Sequence, residues 1–542
     1  MKGFEGTPRL VQLALRRDRL QLPIWISGIM AIFVVSIASV LDLYGNSLEE
    51  KIGYARLVSS SIVNRLLGGT MTSLDIGSIV MIETFLFASI SIALMNILAV
   101  IRHTRHEEEG GRTELIGSAP VGRFAGLTAA LSVVFLANMV IAGLALIALL
   151  AYDLPLKGSV LMSASFFGVG VCFAGIAAIT AQLSQSARVA SGLAGLMLGL
   201  DVLIRGIGDS SGQLSADGLF VSSTRVSWAS IIGWGQQSRP FTDNKLWVIV
   251  LYIILFIVLI GVAFLLRARR DMGAGYLPLK DGPAEAAPTL LSTFGLSLRL
   301  QKGIIFWWLL PVFLMAVCYG AVLDEAQKML TENEQLAELI SQMGNGSTDL
   351  TNAFIIVMMG FFGLLSAAFI IQMMMRMRSE EAIGRLEGIV ASPVNRLTWM
   401  LSFMSVAVVG TILLLAFSGI GMALGYILVA DISSTVVRTI MEATLVQLPP
   451  VLVFGGIATL LYGIVPRISG GLTWFAFALS LIISQFGKLF KLPDWVLTIS
   501  PFHHVAAVPL KQGDIDIIVL VLLVGIILMA IGLAGFRKRD IG

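Results

Sequence analysis

Charge is scarce in this chain. Of its 542 residues only 13% are Asp, Glu, Lys or Arg, against 56% that are hydrophobic, and no soluble domain of this size needs so many apolar residues. Cysteine is scarcer still. Cys172 and Cys318 lie in separate apolar runs and read as buried small hydrophobes, not as a disulfide. The four histidines, His103, His106, His503 and His504, show no metal-ligand spacing. No G-x-x-x-x-G-K-[ST] loop is present, and GNGST at 344–348 lacks the lysine. The chain therefore carries no nucleotide site of its own. Nor do paired acids recur in the apolar runs as a proton relay.

What the chain does have is apolar runs of about 20 residues, the length a helix needs to cross the hydrocarbon core. They predict membrane helices near 22–41, 79–101, 126–150, 160–181, 190–206 and 246–267, and again near 304–323, 353–375, 399–429, 445–465, 471–486 and 515–536. The segments 190–206 and 471–486 are the shortest. Arg16, Arg17 and Arg19 precede the first run, which has the length of a membrane helix and no small-residue cleavage site after it. Lys and Arg concentrate in the segments that place both termini in the cytoplasm, leaving the long loops 42–78, 207–245, 324–352 and 487–514 outside. Residues 271–293, with Pro278, Pro283 and Pro288, read as a cytoplasmic linker between halves 1–270 and 294–542.

The halves repeat. RHTRHEEEGGRTELIGSAPVGR (102–123) aligns without a gap on RMRSEEAIGRLEGIVASPVNR (376–396). This pairs Arg105 with Arg378, Glu107 with Glu380, Glu108 with Glu381, Gly111 with Gly384, Arg112 with Arg385, Glu114 with Glu387 and Arg123 with Arg396. Polar identities in a loop are costlier to reach by chance than shared Leu or Val, so this is an internal duplication. A unit that begins and ends inside gives parallel repeats, with a pathway expected between them. LALRR at 13–17 echoes LSLRL at 296–300, and the stretches 5–20 and 289–303 read as amphipathic helices before the first membrane helix of each half. WASIIGWGQQSRP (228–240) and WVLTISPFHHVAAVP (495–509) read as interfacial or re-entrant segments on the outer face.

The duplicated loops are the first candidate site. Glu107, Glu108, Glu109, Gly111, Arg112 and Glu114, with Glu380, Glu381, Gly384, Arg385 and Glu387, form compact charged elements. The acids and Arg385 of the second loop fall at helical spacing and predict a short cytoplasmic helix closed by Ser392–Pro393. Each element reads either as a solvated positive-inside loop or as a dock for a cytoplasmic partner. Duplication favours the dock. Polar residues at membrane depth are the second set: Glu83, Asn96, Asn138, Asp201, Arg205 and Gln372. Asp201 and Arg205 stand four apart and are expected to neutralise each other, with Ser480 and Ser484 as their counterparts. Gly192, Gly195 and Gly199, and Gly421 with Gly425, are expected at tight helix crossings.

The chain resembles the fused, twelve-helix permeases of ABC-2-type exporters, notably the tetronasin-type antibiotic and multidrug efflux permeases of actinobacteria. The resemblance rests on LVQLALRRDR (10–19), EEEGGRTELIGSAPVGR, AQLSQSAR with ASGLAG (181–195) and GWGQQSRPF (233–241). It implies an all-α, pseudo-dimeric membrane domain with elbow helices and with coupling helices at the two charged loops. It also implies two copies of a separate nucleotide-binding subunit holding ATP and Mg2+, and an amphiphilic substrate expelled through the lipid bilayer. No catalytic, cofactor or metal residue is expected in the chain itself, and no nucleic-acid partner. An ion-coupled secondary transporter, and a membrane enzyme or sensory assembly protein, are the alternative readings.

Overall fold

In lipid every backbone N–H and C=O must be satisfied within its own segment, so runs this apolar fold as helices. The computed structural model describes residues 3–45, 47–60, 62–271, 273–277, 284–323, 350–430, 433–486, 493–504 and 514–540. Among them are 12 helices long and apolar enough to cross a bilayer, as expected of an all-α polytopic protein. Contacts divide the chain into two compact units, Met1–Gly282 and Pro283–Gly542.

The first unit opens with α1 (Thr7–Arg17) and α2 (Gln21–Tyr44), followed by the short α3 (Leu48–Ser60) and α4 (Ile62–Leu67). Then come α5 (Ile76–His103), the short α6 (Arg105–Glu109) and α7 (Arg112–Gly117), α8 (Ala125–Ala151), α9 (Leu156–Leu183) and α10 (Ala187–Ser210). A small antiparallel pair, β1 (Gln213–Leu214) with β2 (Val221–Ser222), precedes α11 (Ile231–Gln237) and α12 (Val248–Arg269). α9 is the hub of this unit, packing on α5, α8, α10 and α12. Its glycines allow the approach: Gly168 lies under the Tyr252 ring and Gly175 under Leu259. Phe33, Phe85 and Phe166 form an aromatic cluster beside them.

The second unit contains α13 (Thr293–Ala321), α14 (Leu350–Ala382), α15 (Arg385–Val390), α16 (Arg396–Val429), α17 (Ser434–Leu445), α18 (Leu448–Ile464), α19 (Pro466–Phe486), α20 (Asp494–Leu497) and α21 (Asp514–Lys538). α13 lies along α16 and α18 along α21. Gly421 and Gly425 do mark a tight crossing: a Cβ on Gly425 would stand 2.0 Å from the Val317 carbonyl oxygen. Gly192, Gly195 and Gly199 do not, since nothing lies within 4 Å of a Cβ built on any of them.

Other expectations need correction. The helices outrun their apolar cores, and the short spans become Ala187–Ser210 and Pro466–Phe486. The segment at 445–465 begins instead at Leu448, where Pro449 and Pro450 occupy the first turn that tolerates them, and a separate α17 precedes it. The elbow at 289–303 is not a separate helix, because α13 runs unbroken from Thr293 through Pro311 to Ala321. In the first unit the chain breaks at residues 18–20, where buried Asp18 is bound by Arg102 at 2.5 Å and His103 at 2.6 Å. Residues 324–349, including GNGST, residues 505–509 of the stretch 495–509, and 278–283 of the linker lie outside the described residues.

Candidate functional site: the duplicated charged loops

Each loop turns on a glycine. Gly111 has φ 70° and Gly384 φ 78°, left-handed backbone that costs an L-residue its Cβ contact. Each turn separates the short helix, α7 or α15, from the helix before it. The second loop departs from expectation here. Glu380 and Glu381 ride on the last turn of α14, and only Arg385 and Glu387 belong to the short helix α15. In the first loop Glu107, Glu108 and Glu109 sit on α6, and Arg112 and Glu114 on α7.

The central acids face inward. Glu108 is held by Arg105 at 2.6 Å, by Arg267, and by Arg270 through both carboxylate oxygens at 2.8 Å. Its counterpart Glu381 takes both oxygens to Arg539 at 2.8 and 2.7 Å. Arg123 donates to the Arg270 carbonyl at 2.8 Å, and Arg396 to the Arg539 carbonyl at 3.0 Å. The same three-residue clamp therefore ties each loop to the end of the last helix of its unit, α12 or α21. Bidentate guanidinium–carboxylate pairs fix orientation as well as charge. Glu107 pairs with Arg112 at 3.2 Å and Glu380 with Arg385 at 3.3 Å. Glu107 also meets Arg17 of α1, whereas Glu380 takes Arg376 at 2.6 Å.

Glu109 accepts the backbone N–H of Ala187, the first residue of α10, at 2.9 Å. ARVASGL (187–193) matches PRISGGL (466–472), so the equivalent of Ala187 is Pro466, which has no N–H to cap. Ala382 stands where Glu109 stands, and the need and its answer are absent together.

What faces outward is a smaller set. Arg112, Glu114, Arg385 and Glu387 are exposed, and Leu115 of α7 is 77% exposed.

The polar residues within the apolar helices each find a hydrogen-bond partner. Asn96 and Asn138 exchange amide hydrogen bonds at 3.0 and 2.7 Å between α5 and α8. Glu83 accepts from the Tyr54 hydroxyl at 2.5 Å. Gln372 accepts from Trp308 Nε1 at 2.7 Å. Asp201 and Arg205 do not pair as expected. Asp201 accepts from Ser230 Oγ at 2.9 Å and from the amides of Ile231 at 2.6 Å and Ile232 at 3.0 Å, capping α11. Arg205 turns to Asp209 at 3.3 Å, to Gln236, and to the Leu66 carbonyl. Orphan amides at a helix start are stronger claimants on a carboxylate than a side chain with another acid one turn away. Sequence reasoning missed Arg267, Arg270 and Arg539; the signal was the basic run closing the last helix of each half, RARRD at 267–271 and RKRD at 537–540.

A protein-family model described as the C-terminal domain of the multidrug efflux system permease Rv1217c matches residues 290–537. The multidrug efflux system permease protein Rv1217c of Mycobacterium tuberculosis is 33% identical over 543 aligned residues, covering 99% of this chain and 96% of that protein. The chain belongs to this family of ABC-2-type exporter permeases. Permeases of this family are transport subunits and are not themselves catalytic.

Proposed function

We propose that this permease exports amphiphilic drugs or antibiotics across the bacterial plasma membrane, powered by two copies of a separate cytoplasmic ABC nucleotide-binding subunit that hold ATP and Mg2+. The observation that carries the reading is the repeated clamp. In both units an inward carboxylate fixes the loop to the end of a membrane helix, while α7 and α15 turn exposed charge away from the membrane helices. A partner that moved α7 would move α12 through Glu108–Arg270, and α10 through Glu109–Ala187. Movement of α15 would pass to α21 through Glu381–Arg539. In this reading both termini are cytoplasmic, residues 1–270 and 294–542 are the two transmembrane halves, and 271–293 joins them. The docking residues are the outward ones, Arg112, Glu114, Arg385 and Glu387; Glu107, Glu108, Glu380 and Glu381 transmit.

The test is co-purification with the partner ATPase and its stimulated hydrolysis in proteoliposomes. Glu114→Arg combined with Glu387→Arg is expected to weaken association roughly tenfold and depress stimulated hydrolysis and export together, with the permease still folded in the membrane. Undiminished association and export in that variant would reject the docking assignment. Export that persists without any ATPase and follows a proton gradient would reject the energy source.

A further inference from the structure

The first unit holds a cavity of about 430 Å3 between α1, α7 and the start of α8. That volume falls in the range of small-ligand sites. One wall is apolar, made by Leu10 and Leu13 of α1 with Gly126 and Ala130 of α8. The other carries guanidinium groups: Arg123, Arg267 and Arg270 line it. Three arginines converge on the single carboxylate of Glu108. Arg123 has no carboxylate partner among the described residues and meets only the Arg270 carbonyl. With Arg17, the lining carries four guanidinium groups against the two carboxylates of Glu107 and Asp271, so positive charge is in excess. The apolar wall is accessible: Leu13 is 54% exposed, Gly126 is exposed, and a Cβ on Gly126 would meet nothing within 4 Å.

The position selects the ligand. α8 enters the membrane span at Ala125. α1 exposes Leu13 and Leu15 together with Arg9 and Arg16, the pattern of a helix lying in the lipid interface. We infer that this cavity binds an anionic phospholipid, its phosphate against the exposed Arg123 and its first methylenes along Leu13 and Gly126. The lipid braces α1 against α7 and so sits behind the loop assigned to coupling. The second unit is built differently. Leu300 and Gln301 stand where Arg17 and Asp18 stand, and α13 continues straight through, so its first turns do not break off as a separate elbow. One lipid is expected at this cavity. The proposal rests on the coupling reading only for its regulatory consequence, not for binding.

The experiment uses the full chain, purified in detergent, stripped of lipid, and titrated with phosphatidylglycerol, phosphatidylcholine or inorganic phosphate under native mass spectrometry. One phosphatidylglycerol is expected to be retained, roughly tenfold more tightly than phosphatidylcholine, from the basic groups near the headgroup. Gly126→Leu, which fills the cavity, is expected to abolish retention, and Gly192→Leu, on an equally open face of α10, to leave it unchanged. Leu13→Asp repeats the test on an exposed side chain should Gly126→Leu fail to assemble. Equal retention by the filled variant, no preference for the anionic lipid, or saturation by inorganic phosphate alone at the same concentration would each overturn the assignment. Retention without any stimulation of a partner ATPase would leave the lipid site standing while rejecting the coupling reading. Stimulation that is normal in Gly126→Leu would separate the two in the opposite sense.

Discussion

The two charged loops share a clamp and differ in how much is fastened to it. Glu381 holds one arginine through two hydrogen bonds; Glu108 holds three. The first loop is further tied to α1 through Glu107 and Arg17 and to α10 through Glu109, and Arg105 pins the carbonyls of Gly273 and Ala274 at 2.8 and 3.0 Å. In the second loop Arg378, the partner of Arg105 in the repeat, instead reaches the Arg467 carbonyl in the first turn of α19. Duplication preserved the contact that joins loop to last helix and let the surrounding contacts diverge. The shared part is the clamp; the first loop carries the more extensive set of contacts around it.

That comparison can be broken most directly at its centre. Glu108→Gln leaves two buried guanidiniums and one part-buried one without a carboxylate and is expected to cost about 3–5 kcal/mol. Glu381→Gln strands one and is expected to cost about 1–3 kcal/mol. Thermal unfolding of the two purified variants in the same detergent checks the order; equal losses would mean that the additional arginines contribute nothing.

The helices α10 and α19 offer a second contrast. Asp201 holds two amides and a hydroxyl of the α11 start, whereas Ser480 meets Ser500 Oγ at 2.6 Å. The contact is repeated with a carboxylate in one half and a hydroxyl in the other. Asp201→Ala is expected to cost about 2–3 kcal/mol and Ser480→Ala about 1 kcal/mol. Hydrogen exchange at the amides of Ile231 and Ile232 should accelerate in the first variant only. Unchanged exchange there would show that α11 stands without its cap.

The smallest effect sharpens the symmetry. Gly111→Ala and Gly384→Ala place a Cβ on left-handed backbone with open space around it, and each is expected to cost about 1 kcal/mol. The two penalties should match. Unequal shifts in unfolding temperature would show that one loop relaxes its turn and the other does not.

Much of this was legible in the order of residues. The twelve spans followed from apolar length alone, because a bilayer leaves helices as the open solution for such segments. The repeat followed from Arg, Glu, Gly and Pro kept in step across two loops. Direction was harder to read. The acids of Glu107–Glu109 and Glu380–Glu381 look like surface charge when counted along the chain. Folding turns most of them inward, because the basic ends of α12 and α21 arrive from more than 150 residues away. The pairing of Asp201 with Arg205 failed for a related reason. Spacing of four residues permits a pair, but the amides of α11 and the carboxylate of Asp209 were better partners for each.

Sequence by itself determined that this chain lives in a membrane, crosses it as helices, and carries one charged loop twice, since hydrophobic length and repeated polar order are properties of the chain. Only the tertiary structure decided which of those charges are spent inside the fold and which remain exposed. A carboxylate's role depends on the donors brought to it through space, and helices distant in sequence supply them.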